Sequence, residues 1–274
     1  MKPQMAKAYI RPMFALKDKY VLITGASSGI GEALAMEAAK QGAKLLLAAR
    51  RLPELERVKA ACLKSTNWCE VIQLDLADEK SIEAAAHRAT SLIPQLDVLV
   101  NNAGISQRAR ASTASFESEK QLMQVNYFGP VYLTKLLFPH FAPQAGLVIT
   151  SSVVGLFAFP TRSTYSASKH ALHGYFNTMA LEEADRLQVT IACPGRINTP
   201  ISYSAITDSG KAHGQMDQGQ ANGIPADLCA QKIWKAFQNK KNLVLVARGE
   251  KLLYWFSKFI PPLYRKISRK VSPL

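Results

Sequence analysis

Residues 21–51, VLITGASSGIGEALAMEAAKQGAKLLLAARR, decide the fold. An apolar run enters a turn holding Gly25, Gly29 and Gly31, a helix-like segment follows, and a second apolar run ends in two arginines. Strand, glycine turn, helix and strand make the βαβ unit of a doubly wound sheet. Glycine accepts positive φ in such a turn and removes the Cβ where a phosphate must approach the backbone. A helix starting near residues 29–31 aims its free N–H groups and the positive end of its dipole at that phosphate.

The same alternation continues in both directions. Strand-like runs are predicted at 20–24, 44–49, 70–74, 97–101, 146–151, 189–192 and 242–247, with helices at 31–41, 54–63, 78–92, 119–141, 164–187 and 225–238. Continuous apolar strands are buried on both faces, which a parallel sheet between helices provides. The chain shows no internal repeat, low-complexity tract or interdomain linker, and 274 residues at 48% hydrophobic fit one α/β domain. One long stretch, 199–223, is rich in Gly, Ser, Asn and Gln and lacks helical apolar spacing. A loop of that length is either an active-site lid or disordered, and the lid is the expectation.

The net charge of +14 is concentrated at the ends: +4 over residues 1–20, +8 from 239 onward and +2 between them. A basic groove for nucleic acid across the body is therefore not expected, and an electrostatic role falls to the termini. Nothing approaches the roughly 18 apolar residues of a membrane span, and the N-terminus lacks an apolar signal core. Cys62, Cys69, Cys193 and Cys229 have neither metal-ligand spacing nor disulfide-rich density, so reduced thiols in a cytoplasmic protein are expected. The five histidines show no ligand spacing with acidic partners, and no metal site is expected.

In a dinucleotide-binding fold, an acid ending the second strand reads the free ribose 2′-hydroxyl of NAD, whereas arginine accommodates the 2′-phosphate of NADP. Here Arg50 and Arg51 stand at that place. A guanidinium forks onto phosphate and stacks on adenine, so NADP(H) is expected in preference to NAD(H), with Ser27 adding a hydroxyl contact.

The motif TGASSGIG at 24–31 resembles that of the short-chain dehydrogenase/reductase family. The resemblance extends in order through NNAG at 101–104, Asn126 in VNYFG, Ser152 in ITSSVVG, Tyr165 and Lys169 in YSASK, and PGRINT at 194–199. It covers about residues 20–247 and implies a single Rossmann-like domain with a doubly wound, seven-stranded parallel sheet. It also implies that Gly25, Ser27, Ser28, Gly29, Ile30 and Gly31 seat the cofactor pyrophosphate, with Asp75 and Leu76 beside the adenine. Asn102, Ala103 and Gly104, together with Tyr165 and Lys169, would complete the cofactor wall, and Pro194, Gly195, Ile197 and Thr199 would hold the carboxamide. The catalytic set implied is Asn126, Ser152, Tyr165 and Lys169, in a homodimer or homotetramer.

The residues themselves support that chemistry. A ketone accepting hydride needs a proton, and a free phenol with a pKa of about 10 needs help to give and retake it. Lys169, four residues after Tyr165, lies on the same helical face, and its ammonium stabilises a phenolate. Ser152, thirteen residues before Tyr165, is the expected hydrogen-bond donor to the substrate oxygen. Pro130 deprives the carbonyl of Asn126 of its helical partner and kinks the helix, freeing that carbonyl to hold a water.

Three units are expected: an extension at 1–18, the catalytic domain at 19–248 with its lid at 199–223, and a basic amphipathic extension at 249–274. In the last, Leu252, Trp255, Phe256, Phe259, Leu263, Ile267 and Val271 follow helical spacing, interrupted at Pro261 and Pro262. This face either lies on an anionic membrane surface or packs on protein. The apolar run at 153–160 suggests a lipophilic carbonyl or alcohol substrate. The functional expectation is an NADP-dependent carbonyl reductase or alcohol dehydrogenase. The alternative is a catalytically silent NADP-binding regulator, which would have no use for the Asn–Ser–Tyr–Lys set.

Overall fold

The structure, a computed structural model, describes residues 13–270. The charges at 2, 7 and 11 and the apolar Val271 lie outside the described residues. Within them, seven parallel strands form the main sheet: β1 (Tyr20–Thr24), β2 (Lys44–Ala49), β3 (Cys69–Gln73), β4 (Leu96–Asn101), β5 (Phe141–Thr150), β6 (Leu187–Pro194) and β7 (Leu243–Val246). Their spatial order is β7-β6-β5-β4-β1-β2-β3. Every residue of β4 is buried, whereas the edge strand β7 has one buried residue in four. This is why the central strands read as unbroken apolar runs and the edges do not.

Alternate residues of each strand feed two cores. Val21, Ile23, Leu45 and Leu47 face α1 (Gly29–Lys40), α2 (Leu52–Cys62) and, from the far end of the chain, the helix Ala226–Gln238. Leu22, Leu46, Leu99 and Leu147 face α3 (Glu79–Leu92) and the helices that follow β4 and β5. Trp234 is fully buried, and its ring N–H donates to the carbonyl of Leu34, pinning the helix Ala226–Gln238 to α1.

Two predicted elements change shape. The single helix expected over 119–141 is α4 (Phe116–Met123), a π turn (Gln124–Phe128), α5 (Gly129–Leu137) and a short 3-10 turn. Pro130 has no N–H to donate, and the Gly129 N–H reaches back five residues to Gln124, widening the turn at Asn126. The strand expected at 146–151 begins at Phe141, because Phe141 pairs with Leu96 before the register shifts next to Val98. Exposed Pro143 and Gln144 hid that extension from the hydropathy pattern. The long helix α6 (Ser163–Glu182) then carries Tyr165 and Lys169.

The 199–223 segment is not shapeless. It contains a 3-10 turn, the two-residue strand Ile206–Thr207 paired with Gln107–Arg108, and the short helix α7 (Gln218–Ala221). Helix α8 (Ala226–Gln238) and β7 lead to α9 (Glu250–Phe259) and α10 (Pro261–Ser268), which part at the two prolines as expected.

Candidate active site

After β3 the chain crosses to the other side of β1, so β1 and β4 diverge at their C-terminal ends, the place where a doubly wound sheet opens its crevice. A cleft of about 1120 Å³ lies there. One end of it is walled by main chain. Gly25 and Gly29 have φ of 66° and 60°. A Cβ on Gly25 would come within 2.8 Å of the Ala103 Cα, and one on Gly31 within 2.2 Å of the Gly25 carbonyl. Thr24 ties the two strand ends together: its hydroxyl donates to the Val100 carbonyl and accepts from the N–H groups of Asn102 and Ala103, at 3.0 to 3.2 Å. The Asn102 amide returns a bond to the Thr24 carbonyl. The glycine turn is thus both forced open and fixed in place, with α1 starting at Gly29.

Ser27, Ser28, Ile30, Arg50, Arg51, Asp75 and Leu76 line this end, as do Asn102, Ala103 and Gly104. The two arginines are not equivalent. Arg51 folds over the glycine turn and donates from Nη2 to the hydroxyls of Ser27 and Ser28 at 3.0 and 3.1 Å, whereas Arg50 lies on the rim. The Asp75 carboxylate accepts from the Ala77 N–H and shapes the turn into α3. Pro194, Gly195, Ile197 and Thr199 bound the cleft from β6. The Thr199 side chain would touch a Cβ at Gly29, so this segment closes directly on the glycine turn. Gln220 of α7 donates to the Ile197 carbonyl and to the Thr199 hydroxyl, hooking the 199–223 segment onto it.

Ser152, Tyr165 and Lys169 come together at the other end of the cleft. Burial pushes the Tyr165 phenol above its ordinary value. A side-chain hydrogen bond with Ser152 and the charges of Arg108 and Arg162 pull it back down. Burial lowers Lys169 to about 8. Its Nζ donates to the Thr150 carbonyl at 2.9 Å and lies 5.9 Å from the Tyr165 ring centre. Asn126 sits at the π turn and is fully buried. Its amide bonds the Ile105 main chain in both directions and donates to Ser168 of α6, which locks the strand-end loop to the Tyr–Lys helix. One turn further along that helix, the His173 ring contacts the Ser151 hydroxyl at 3.0 Å and the Cys193 thiol at 3.6 Å; burial lowers it to about 4.

A charged cluster beside Tyr165 is absent from the sequence reading. Arg108 donates from Nε to Asp217 Oδ2 at 2.9 Å, pairs with the same oxygen through Nη2, and reaches the Ser106 hydroxyl through Nη1. Arg162 stands 3.8 Å from the same Asp217 oxygen, and His213 lies 3.3 Å from the other. The side chains of Arg108, Arg162 and Asp217 are 6%, 9% and 7% exposed. His213 therefore does have an acidic partner four residues on, contrary to the expectation for the histidines. Arg162 immediately precedes the helix that bears Tyr165, and Asp217 precedes α7; neither position belongs to a motif that would have singled it out. Among the described residues, no group of three or more His, Cys, Asp or Glu could hold a metal ion.

Helices α9 and α10 close the far side. Leu253 and Tyr254 of α9 and Tyr264 of α10 pack on Val153, Leu156, Phe157 and Phe159, and the Tyr264 hydroxyl bonds the Ala158 carbonyl. Leu252, Trp255, Phe259 and Leu263 point outward and are exposed. The apolar face read from the sequence is thus the outer one, and the inner contacts were not foreseen. No helix among the described residues is long and apolar enough to cross a membrane.

Residues 19–209 match the family model described as short chain dehydrogenase. The chain is 40% identical over 264 residues to a dehydrogenase/reductase SDR family protein 7-like from Anopheles gambiae, an alignment covering 93% of this chain and 83% of that protein. The fold is similar to a short chain dehydrogenase/reductase from Burkholderia phymatum in complex with NAD, with a TM-score of 0.81 and 23% identity over 96% of this chain and 99% of that one. It is also similar to an alcohol dehydrogenase from Thermococcus sibiricus complexed with 5-hydroxy-NADP, with a TM-score of 0.73 and 22% identity over 84% of this chain and 96% of that one. A parallel doubly wound sheet with a glycine-turn cleft defines a dinucleotide-fold oxidoreductase. The chain belongs to the short-chain dehydrogenase/reductase family.

Proposed function

We propose that this protein is an NADP(H)-dependent oxidoreductase that interconverts a lipophilic ketone or aldehyde with its alcohol. The observation that carries the reading is the meeting of the glycine turn with Ser152, Tyr165 and Lys169 in one cleft. The cofactor fits the residues present, because Gly25 and Gly31, lacking a Cβ that would collide with Ala103 and the Gly25 carbonyl, leave a turn of bare main chain at the cleft. The turn at 25–31 would hold the pyrophosphate, Asp75 and Leu76 the adenine side, and Gly104, Pro194, Gly195, Ile197 and Thr199 the nicotinamide side. Arg51 with Ser27 and Ser28 would grip the ribose 2′-phosphate, because a guanidinium and two hydroxyls suit a phosphate better than a diol. The two structural neighbours carry NAD and 5-hydroxy-NADP, so the fold accepts either class and the local charge makes the choice.

The nicotinamide supplies or accepts the hydride. Tyr165 gives its phenolic proton to the carbonyl oxygen during reduction and takes it back during oxidation. Ser152 orients that oxygen and, through its bond to Tyr165, favours the phenolate. Lys169 keeps its charge below about pH 8 and adds to the same effect. Val153, Val154, Phe157, Phe159 and Leu253 give the cleft an apolar wall suited to a hydrocarbon chain. The test is NADPH oxidation against aldehydes and ketones graded by chain length. Efficiency should rise with chain length, and a preference for small polar sugars would reverse the assignment.

The outer face of α9 and α10 supports a second contact. Trp255 and Phe259 stack on one another in solvent, and Lys251, Lys258, Arg265, Lys266, Arg269 and Lys270 are exposed around them. Aromatic and basic residues in this arrangement suit an anionic lipid interface. Co-sedimentation with phosphatidylserine vesicles should fall when Trp255 and Phe259 become serine; undiminished binding would remove the membrane contact.

A further inference from the structure

We propose that Glu250 is a positioning residue for the nicotinamide, holding the strand-end segment 194–197 in the shape the ring would lie against. The proposal rests on the reading above that Gly195 and Ile197 border the nicotinamide. It brings the C-terminal extension into the site, because Glu250 is the first residue of α9 and follows the catalytic domain expected at 19–248.

Strands β6 and β7 pair as far as Pro194 and Val246, and the Gly195 N–H donates to the Val246 carbonyl at 2.9 Å. The ladder ends there, and Glu250 takes one donor from each departing chain. Its Oε1 accepts from the Arg196 N–H at 3.0 Å and its Oε2 from the Arg248 N–H at 3.1 Å. The carboxylate thus stands in for the ladder, and an N–H bond to an ionised acceptor is stronger than one to a carbonyl. The Arg196 carbonyl is held as well, by the Ile224 N–H at 2.9 Å. Both main-chain polar groups of residue 196 are therefore fixed, immediately before the buried Ile197.

The fit is close. A Cβ at Gly195 would lie 2.9 Å from Glu250 Oε1 and 3.0 Å from the Ala247 Cβ, so the carboxylate reaches its place only against a glycine. Gly195, Arg196, Arg248 and Glu250 all line the cleft. Glu250 is half-buried and spends both oxygens on main chain outside its own helix. Three residues on, along the same face of α9, Leu253 packs with Val153 and Phe157. One turn of helix therefore meets the 194–197 segment with a charge and the apolar wall with a hydrocarbon. Removing the charge would loosen the 195–197 main chain while leaving the glycine turn, tied by Thr24 and Asn102, as it is.

The experiment measures binding alone, by calorimetric titration of the full chain. It compares each dinucleotide with its nicotinamide-free counterpart: NADPH with 2′-phospho-ADP-ribose, and NADH with ADP-ribose. The ratio of the two affinities isolates what the ring contributes. In Glu250→Ala the NADPH ratio should fall by about tenfold, the value of one or two hydrogen bonds to a charged acceptor. Glu250→Gln is nearly isosteric and keeps one acceptor, so its ratio should fall by about threefold, and it serves where alanine unsettles the helix. Affinity for 2′-phospho-ADP-ribose should stay within about twofold in both variants, which shows that the glycine-turn end is intact. An unmoved ratio overturns the proposal. An equal loss for NADPH and its truncated form also overturns it, because Glu250 would then support the cleft as a whole. A wild-type protein that binds NADPH and NADH no better than the truncated forms overturns it outright. Should the wild-type protein favour NADH, the NADH pair carries the same comparison, so the NADP assignment can fail while this proposal stands. No carbonyl substrate enters the measurement, so an error in the proton donor or the substrate class leaves the result unchanged.

Discussion

At the glycine-turn end of the cleft the wall is main chain, and at the Tyr165 end it is side chains drawn from distant segments. Gly25, Gly29 and Gly31 act through what they lack, within seven consecutive residues at the mouth of one strand. Arg108 and Asp217 act through what they carry, and they stand 109 positions apart. The first construction needs particular residue types in a fixed local order, because only glycine tolerates both the close approach and the positive φ. The second needs only that the topology deliver a charge to a given point, and many sequences can do so. The glycine turn is therefore written in a local motif, whereas the charged cluster beside Tyr165 is not.

The largest effect falls at the Tyr165 end. Tyr165→Phe removes the proton while keeping the ring, so kcat should fall about 10²- to 10⁴-fold, the usual contribution of general acid–base catalysis. NADPH affinity, measured by fluorescence titration, should stay within about twofold, because the glycine turn is untouched. Retained turnover would move the proton donor elsewhere. Loss of NADPH binding together with turnover would show that the two ends are not separable.

Arg51 tests the other end, with a smaller effect. Arg51→Glu breaks the bonds to Ser27 and Ser28 and places a negative charge where a 2′-phosphate would sit. The ratio of NADPH to NADH efficiency should drop by about 10- to 100-fold, consistent with the loss of one or two charge-assisted hydrogen bonds. Arg50→Glu should change it less, because Arg50 makes no comparable bond to the turn. An equal response from both positions would mean that the rim as a whole, and not the Arg51 fork, reads the ribose.

The sequence was most legible where structure is local. The boundaries of β1 and β2 match the apolar runs residue for residue, and the Asn126 kink follows from Pro130 alone. It was less legible where a side chain's partner depends on tertiary folding. Nothing in AARR distinguishes Arg50 from Arg51; the start of α2 does, by turning Arg51 back over the serines. Lys169 was expected to support the phenolate, and Arg108 and Arg162, in segments with no motif, add charge that acts on the same phenol. In the C-terminal extension, helical spacing identified one apolar face but could not say that Leu253, Tyr254 and Tyr264 form a second one, facing the 153–159 wall.

The smallest effect concerns the support behind the Tyr165 end, where His173 meets Ser151 and Cys193 while Lys169 and His170 add repulsive charge. In the fold His173 titrates at about 4, against 6.5 for a free histidine. The unfolded chain therefore binds a proton below pH 6.5 that the folded protein refuses until about pH 4. Stability must fall as the pH drops through this window, with a slope of at most about 1.4 kcal/mol per pH unit and less in proportion to the ring's residual solvation. His173→Gln keeps a polar partner for Ser151 without the titration, so its urea midpoint should vary less between pH 6.5 and 4 than that of the wild-type protein. Contributions from carboxylates elsewhere are common to both proteins and cancel in the difference. Parallel midpoint curves would show that the buried ring accepts its proton in the fold. Ser151, which also donates to the Lys169 carbonyl, would then be anchored to a cation instead of a neutral imidazole.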